Sequence, residues 1–299
     1  MKKYVDLHMH TTNSDGACDM NELIEKAKEL GLKAISITDH DTTKGYKKYD
    51  INNRGIKIIK GVEIVTTAAH CLVEVLCYGY DEDKMQEFLN KYSLNHMQES
   101  KAKVNKELEV LKNMGFNLKL DTNNYEYDSV GAWLVRDMWN EIISIPQLKS
   151  ILYNENPDLL ESAKMFFRKG MCNIHSRFFV DLTQVYVTMA QLRKFCDDNS
   201  TIMILAHPGE YYDNMDIVLD YAKNYVDGIE TFHPSIDKVL HKKLSQFCKQ
   251  YNLLESGGSD YHNDKRGNLN SEKVPYSIYA KLEKKLASLQ SHKSRQDIV

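Results

Sequence analysis

Eight imidazole and carboxylate side chains in this chain follow short apolar runs that read as β-strands, and that placement constrains the fold more than any other feature. His8 and His10 end VDLHMH, and Asp15 follows on the loop TTNSDG. His40 lies in SITDHDT, Glu63 in KGVEI, His207 in MILAHPGE, and Asp260 and His262 in ESGGSDYH. Val5, Leu7 and Met9 alternate with Asp6, His8 and His10, so the first run is a strand with a polar face, and its two histidines project to the same side. Asp19 and Glu22 form a capping-box pattern ahead of Leu23, Ile24, Ala27 and Leu30 at helical spacing, and Gly31 closes that helix before Ala34-Ile35-Ser36-Ile37. Further strands are expected at 56–63, 71–78, 201–206, 227–232 and 251–256, seven in all. Strand–helix alternation points to an α/β fold with a parallel sheet, plausibly closed into a barrel, whose strand ends gather the polar groups on one face. One HxH pair is weak evidence for a metal site. Its recurrence in matching strand-end positions is not readily explained by satisfied surface histidines.

Between about residues 83 and 170 the pattern is helical throughout: a long charged helix over 83–113, another near Trp133–Ile143, and one opened by Asn156-Pro157. This divides the chain into a barrel domain of residues 1–82 and 171–270, a helical insertion of 83–170, and a peripheral helix and tail over 271–299. The net charge of −3 gives no basic field for duplex nucleic acid, though one phosphate needs only a local cationic pocket. The six cysteines, at 18, 71, 77, 172, 196 and 248, form no CxxC pair. With no apolar run of membrane-spanning length and no signal-peptide pattern, a cytoplasmic protein with reduced thiols is the expectation.

HxH followed by SDG, TDHDT, GVE, AHP and SDxH, in this order over residues 8 to 262, resembles the PHP (polymerase and histidinol phosphatase) family. The helical insertion resembles that of its phosphoesterase branch, which includes nucleotide phosphatases acting on 3′,5′-bisphosphates and short oligonucleotides. The resemblance implies a distorted seven-stranded (β/α) barrel with a cluster of two or three divalent ions, Mn²⁺, Zn²⁺ or Fe²⁺. It implies that His8, His10, Glu63 and Asp260 hold one ion, that Glu63 bridges to a second held with His207, and that Asp15, His40 and His262 hold a third.

Two segments depart from the family pattern. Glu74, in Val73-Glu74-Val75-Leu76-Cys77-Tyr78-Gly79, stands where the family has a metal-binding histidine. A carboxylate there either ligates, favouring harder ions, or points away. His70, in the turn before it, offers a nearby imidazole. Gly131-Ala132-Trp133-Leu134 replaces a GRPHIA-like segment whose Arg and His approach substrate. Arg136, His175 and Arg177 are the candidate replacements, with Arg177 preferred as the phosphate clamp because it matches the arginine of a YVPR-like stretch. Trp133 is a candidate for stacking on a base. His233, in ETFHPS, also follows a strand and is a candidate for contacting the phosphate or protonating the leaving group.

The expected reaction is hydrolysis of a small phosphate monoester or nucleotide by a metal-activated hydroxide, with Glu63 and His233 as catalytic groups. Two alternatives remain from the sequence. One is a non-catalytic metal-binding PHP domain with a structural or regulatory role, which the departures at Glu74 and Gly131–Leu134 would suit. The other is a metal-dependent hydrolase of a different ester or amide.

Overall fold

A computed structural model describes residues 2–52, 54–94, 96–124 and 134–296. The first half-turn of the chain already sets the pattern. Strand β1 (Tyr4–Asp6) leads to helix α1 (Met20–Glu29), whose capping box forms as the sequence predicts: Asp19 accepts from the Glu22 N–H at 3.0 Å, and Glu22 accepts from the Asp19 N–H at 2.7 Å. The helix buries Met20, Leu23, Ile24 and Ala27 against β1 and β2 (Ala34–Ile35), each large side chain contributing about 1.5–3 kcal/mol by leaving water. Then come α2 (Lys44–Lys48), β3 (Lys57–Ile58), β4 (Gly61–Ala68), β5 (Cys71–Tyr78), α3 (Glu82–Tyr92), α4 (His96–Asn113), α5 (Leu134–Ser144) and α6 (Pro146–Glu155). A 3-10 turn at Pro157–Leu160, α7 (Ala163–Met165) and a π-helical turn at Phe166–Met171 follow. The chain continues through α8 (Met189–Asp198), β6 (Ile202–Leu205), α9 (Met215–Ala222), β7 (Gly228–Phe232), α10 (Lys238–Tyr251), β8 (Leu254–Gly257), β9 (Val274–Pro275) and α11 (Tyr276–Gln296).

The fold is mixed α/β. Among the described residues the strands form a four-stranded sheet of order β3-β2-β1-β9 and a five-stranded sheet of order β4-β5-β6-β7-β8. Isolated bridges join the two beyond the regular strands, Met9 with Tyr261 and His40 with Glu63, both parallel. Apolar side chains from both sheets, including Val5, Leu7, Leu76, Tyr78, Ile202 and Ile204, pack together with Ile278 and Leu282 of α11.

Several expectations need revising. The 56–63 strand is two elements, β3 and β4, and β4 runs on to Ala68 to pair with β5 as a tight hairpin. Strand β5 is antiparallel to both β4 and β6, so the sheet is not wholly parallel. The hairpin turn, Ala69 and His70, has φ of 49° and 67°, which suits the right-handed twist of the strands but lacks the Asn-Gly signature that would have announced it. Strand β9 was not foreseen because two residues carry no periodicity. The long charged helix of 83–113 is two helices, α3 and α4.

A second apolar cluster gathers the helical segment that follows β5. It joins Val104 and Leu111 of α4, Val135, Met138 and Ile142 of α5, and Phe166 and Met171 of the π turn to Phe178 and Leu182, and takes in Val65 and Leu72 from the hairpin. Met85 and Leu89 of α3 instead pack with the sheet and α8. All six cysteines are free. Among the described residues no helix is long and apolar enough to cross a membrane.

Candidate metal centre

The strand-end side chains converge. Glu63, on β4, lies at their middle with 1% of its surface exposed. Its Oε2 is 3.1 Å from His8 Nε2, 3.2 Å from His10 Nε2 and 3.3 Å from His40 Nδ1, and its Oε1 is 3.0 Å from His207 Nε2. Asp260 Oδ1 lies 3.3 Å from His8 and 3.1 Å from His10. On the solvent side, Asp15 Oδ2 is 3.2 Å from His262 Nε2, and Asp15 Oδ1 is 3.8 Å from His40 Nε2. The rings of His40 and His262 both stack against His10, with centroids 4.4 and 4.3 Å away.

Three groups of donor atoms result, each spanning no more than 4.8 Å: His8, His10, Glu63 and Asp260; His10, Asp15, His40 and His262; and Glu63, Glu74 and His207. Apart from Glu74, whose place the sequence left open, and His10, which two groups share, these are the groupings the family resemblance implies. Such clusters are able to bind metal ions. The donor set fits divalent cations on physical grounds. Carboxylate oxygens and imidazole nitrogens face one another around a buried centre, and without a cation each facing imidazole must carry a proton. His10 Nδ1 and His207 Nδ1 are buried without a hydrogen-bond partner.

The electrostatics follow this packing. Burial alone would lower the pKa of His10, but its hydrogen bonds to Asp260 and Glu63 outweigh burial and push it up to about 10. His207 rises to about 9 against burial through its contacts with Glu63 and Glu74. Burial would raise Glu63 and Asp260, yet the surrounding imidazoles hold both well below the usual carboxylate range.

Local structure explains the motifs. Gly16 of SDG packs on the His10 carbonyl, where an added Cβ would lie 2.2 Å from the oxygen. Gly258 packs on β1, where a Cβ would lie 2.4 Å from the His8 nitrogen. Neither approach tolerates a side chain. His207 and Asp260 both adopt left-handed backbone, with φ of 26° and 49°, directly after their strands. Such conformations recur where a fold aims functional groups.

Three carboxylates that the sequence reading passed over hold this arrangement. Glu230 on β7 is fully buried, with both oxygens 3.2 Å from His8 Nδ1, and its Oε2 accepts the His207 N–H at 2.8 Å. It orients His8 from behind, as outer carboxylates orient metal-binding histidines. Asp39 accepts from the Thr11 N–H, the Thr11 hydroxyl and the Ser14 hydroxyl at 2.6–2.8 Å, which fixes the loop carrying Asp15. Asp6 accepts from the Ser259 and Asn270 N–H groups at 2.9 Å, which ties the Asp260 loop to β1. Asp39 and Asp6 sit inside the motifs themselves. Glu230 could have been found as the acid three residues before His233.

The remaining candidates divide. His233 is buried with Nε2 3.5 Å from Asp260 Oδ2. The Ser235 N–H donates to its Nδ1 at 3.0 Å, so a neutral ring carries its proton on Nε2, facing the centre. Glu74 also reaches the centre: its Oε2 is 3.4 Å from His207 Nε2 and 3.2 Å from Arg168 Nη2. His175 and Arg177 are exposed. Arg177 pairs with Glu155 of α6, and among the described residues no hydrogen bond or ion pair joins either to the cluster. His70, at the hairpin turn, pairs with Asp181 at 3.1 Å. Arg136 is exposed on α5, and Gly131, Ala132 and Trp133 lie outside the described residues.

A strand-end cluster of histidines and carboxylates able to hold divalent ions, on an α/β fold, is the kind of site that metal-dependent hydrolases use. Residues 6–254 match the model of the PHP domain, and the chain belongs to that family. It is 24% identical over 259 residues, covering 86% of this chain and 93% of the relative, to a phosphoribosyl 1,2-cyclic phosphate 1,2-diphosphodiesterase from Eggerthella lenta. It is 23% identical over 264 residues, 86% of this chain and 87% of the relative, to a 3′,5′-nucleoside bisphosphate phosphatase from Chromobacterium violaceum. In fold it resembles the crystal structure of a metal-dependent phosphoesterase from Bifidobacterium adolescentis, with a TM-score of 0.60 at 17% identity over 95% of this chain and 96% of that one.

Proposed function

We propose that this chain hydrolyses a small phosphate monoester or a nucleotide, such as a nucleoside bisphosphate, at a centre of divalent ions. The observation that carries the reading is the position of Glu63, whose Oε2 lies among the imidazoles of His8, His10 and His40 at the middle of the cluster. One ion would be held by His8, His10, Glu63 and Asp260, and a second by Asp15, His40 and His262. His10 serves the first through Nε2, because a neutral imidazole offers one lone pair. When bound, the ions lower the pKa of water and neutralise phosphate oxygens, which is the chemistry phosphate-ester hydrolysis needs. The two sheets, bridged at Met9–Tyr261 and His40–Glu63, are read as arcs of one distorted (β/α) barrel.

The protein groups divide the remaining work. Glu230 fixes the His8 ring, and Asp39 and Asp6 fix the loops that present Asp15 and Asp260. His233 presents an Nε2–H that can hydrogen-bond the departing oxygen as charge builds on it. That buried, centre-facing donor favours catalysis over a purely structural PHP domain. Exposure of Asp15 and His40 opens the centre to solvent on one side, which suits entry of a small charged substrate. Purified protein should contain divalent metal and release phosphate from members of a panel of nucleotides and phosphorylated metabolites. Metal-loaded protein with no turnover on such a panel would remove the reading.

A further inference from the structure

The third donor group differs from the other two. It has three side chains instead of four, and a cation of the protein already stands against it. Arg168, on the π turn, has 12% of its side chain exposed. Its Nη2 lies 3.2 Å from Glu74 Oε2 and 3.0 Å from Glu210 Oε2. That Glu74 oxygen is also the one facing His207. Burial would lower the pKa of the guanidinium, but Glu74 and Glu210 raise it, so it stays charged. Arg266 approaches Asp15 at 3.5 Å, but with 62% of its side chain in solvent it is a rim residue.

The geometry points to Arg168, instead of a metal ion, as the positive charge beside Glu74, so that the centre takes two divalent ions and clasps the substrate phosphate with a guanidinium. This rests on the phosphoesterase reading above and specifies how it recognises its substrate. A dication ligated by Glu74 Oε2 would lie against a guanidinium nitrogen that shares the same oxygen. Displacing Arg168 to admit it would leave Glu210 with only the exposed Lys164, 2.8 Å from its Oε1. The pairing is mutual: Glu210 is held down to about 2 against burial, Arg168 being its largest charge partner. A π turn re-aims the side chains of a short helix and recurs at functional sites, and here it directs Arg168 inward from a cluster that is otherwise apolar. A guanidinium has five N–H donors in a planar fork, more than two carboxylate contacts use, and the fork matches a phosphate. The carboxylates Glu74 and Glu210 thus serve as the cradle that preorganises the clamp.

Metal stoichiometry and affinity for inorganic phosphate test this together. Wild-type protein loaded with excess Mn²⁺ and desalted should retain two ions per chain by plasma emission. Arg168→Gln should retain at least two ions while binding inorganic phosphate at least about tenfold more weakly by calorimetry, the loss expected for one charged hydrogen-bonding contact. Glu74→Gln/Arg168→Gln removes both members of the ion pair, which guards against misfolding of the single variant, and should show the same loss. Three ions in the wild type, or unchanged phosphate affinity in both variants, would overturn the proposal. No bound ion in the wild type would overturn the metal-centre reading itself, an outcome distinct from three.

Discussion

Glu230 stands 3.2 Å behind the Nδ1 of His8 with both carboxylate oxygens, while the opposite nitrogen of the same ring faces Glu63 at 3.1 Å. A single imidazole is therefore gripped from both sides by buried acids, one at the centre and one in the strand behind it.

If that rear contact orients the ring, Glu230→Gln should weaken metal binding by about 10–100-fold while the protein stays folded. Competition against a chelator of known affinity measures this. Affinity equal to wild type would show that His8 needs no support.

Glu63→Gln should abolish most turnover and reduce bound metal, because a neutral amide holds a divalent cation far less well than a carboxylate does. Circular dichroism should report an unchanged fold. Wild-type hydrolysis by this variant would exclude Glu63 from the metal centre.

His233→Asn should lower kcat by about 10²–10³, the usual contribution of one positioned hydrogen-bond donor to developing charge, and leave metal content unchanged. The effect should shrink for substrates whose leaving group needs no proton, such as a nitrophenyl phosphate. An equal loss on both kinds of substrate would assign His233 to positioning instead.

Stability of the ion-free protein should depend on pH in a defined way. His10 and His207 are raised to about 10 and 9 from an ordinary value of 6.5, so their pairing stabilises fully below pH 6.5 and is lost as pH rises toward 9–10. Glu210, lowered to about 2 from 4.5, stabilises fully above pH 4.5 and loses that contribution as pH falls toward 2. Chelator-treated protein should therefore be most stable between about pH 4.5 and 6.5. Metal-loaded protein should lose less melting temperature as pH rises from 6.5 to 9, because His10 as a ligand carries no proton on the nitrogen that faces the cation, and loading should release protons. Parallel melting curves for the two forms would show that His10 is not a ligand.

The contribution of sequence to this picture has a physical boundary. His8, His10, His40, Glu63, His207, Asp260 and His262 were legible because strand periodicity fixes which residues end a strand, and strand ends of an α/β fold share a face. Capping of α1 was legible because Asp19 and Glu22 act within one turn. The β4–β5 hairpin was not, because its turn uses Ala69 and His70, residues that do not favour positive φ. Arg168 and Glu230 were not, because each is defined by partners remote in sequence: Glu74, 94 positions from Arg168, and His8, 222 positions from Glu230. The reading settled on Arg177 through local alignment alone, whereas the structure pairs that residue with Glu155.

The centre draws on both ends of the chain, and His10 meets Asp260 across 250 positions. Synthesis runs from the N-terminus, so His8, His10 and Glu63 leave the ribosome long before Asp260 and His262 exist. Through that interval the early residues offer an emerging chain only part of a coordination sphere, with the Met9–Tyr261 bridge still unmade. Full-affinity loading is thus deferred until the last ligands arrive. The order in which the polypeptide is written protects the site from capturing an ion before there is a fold to hold it.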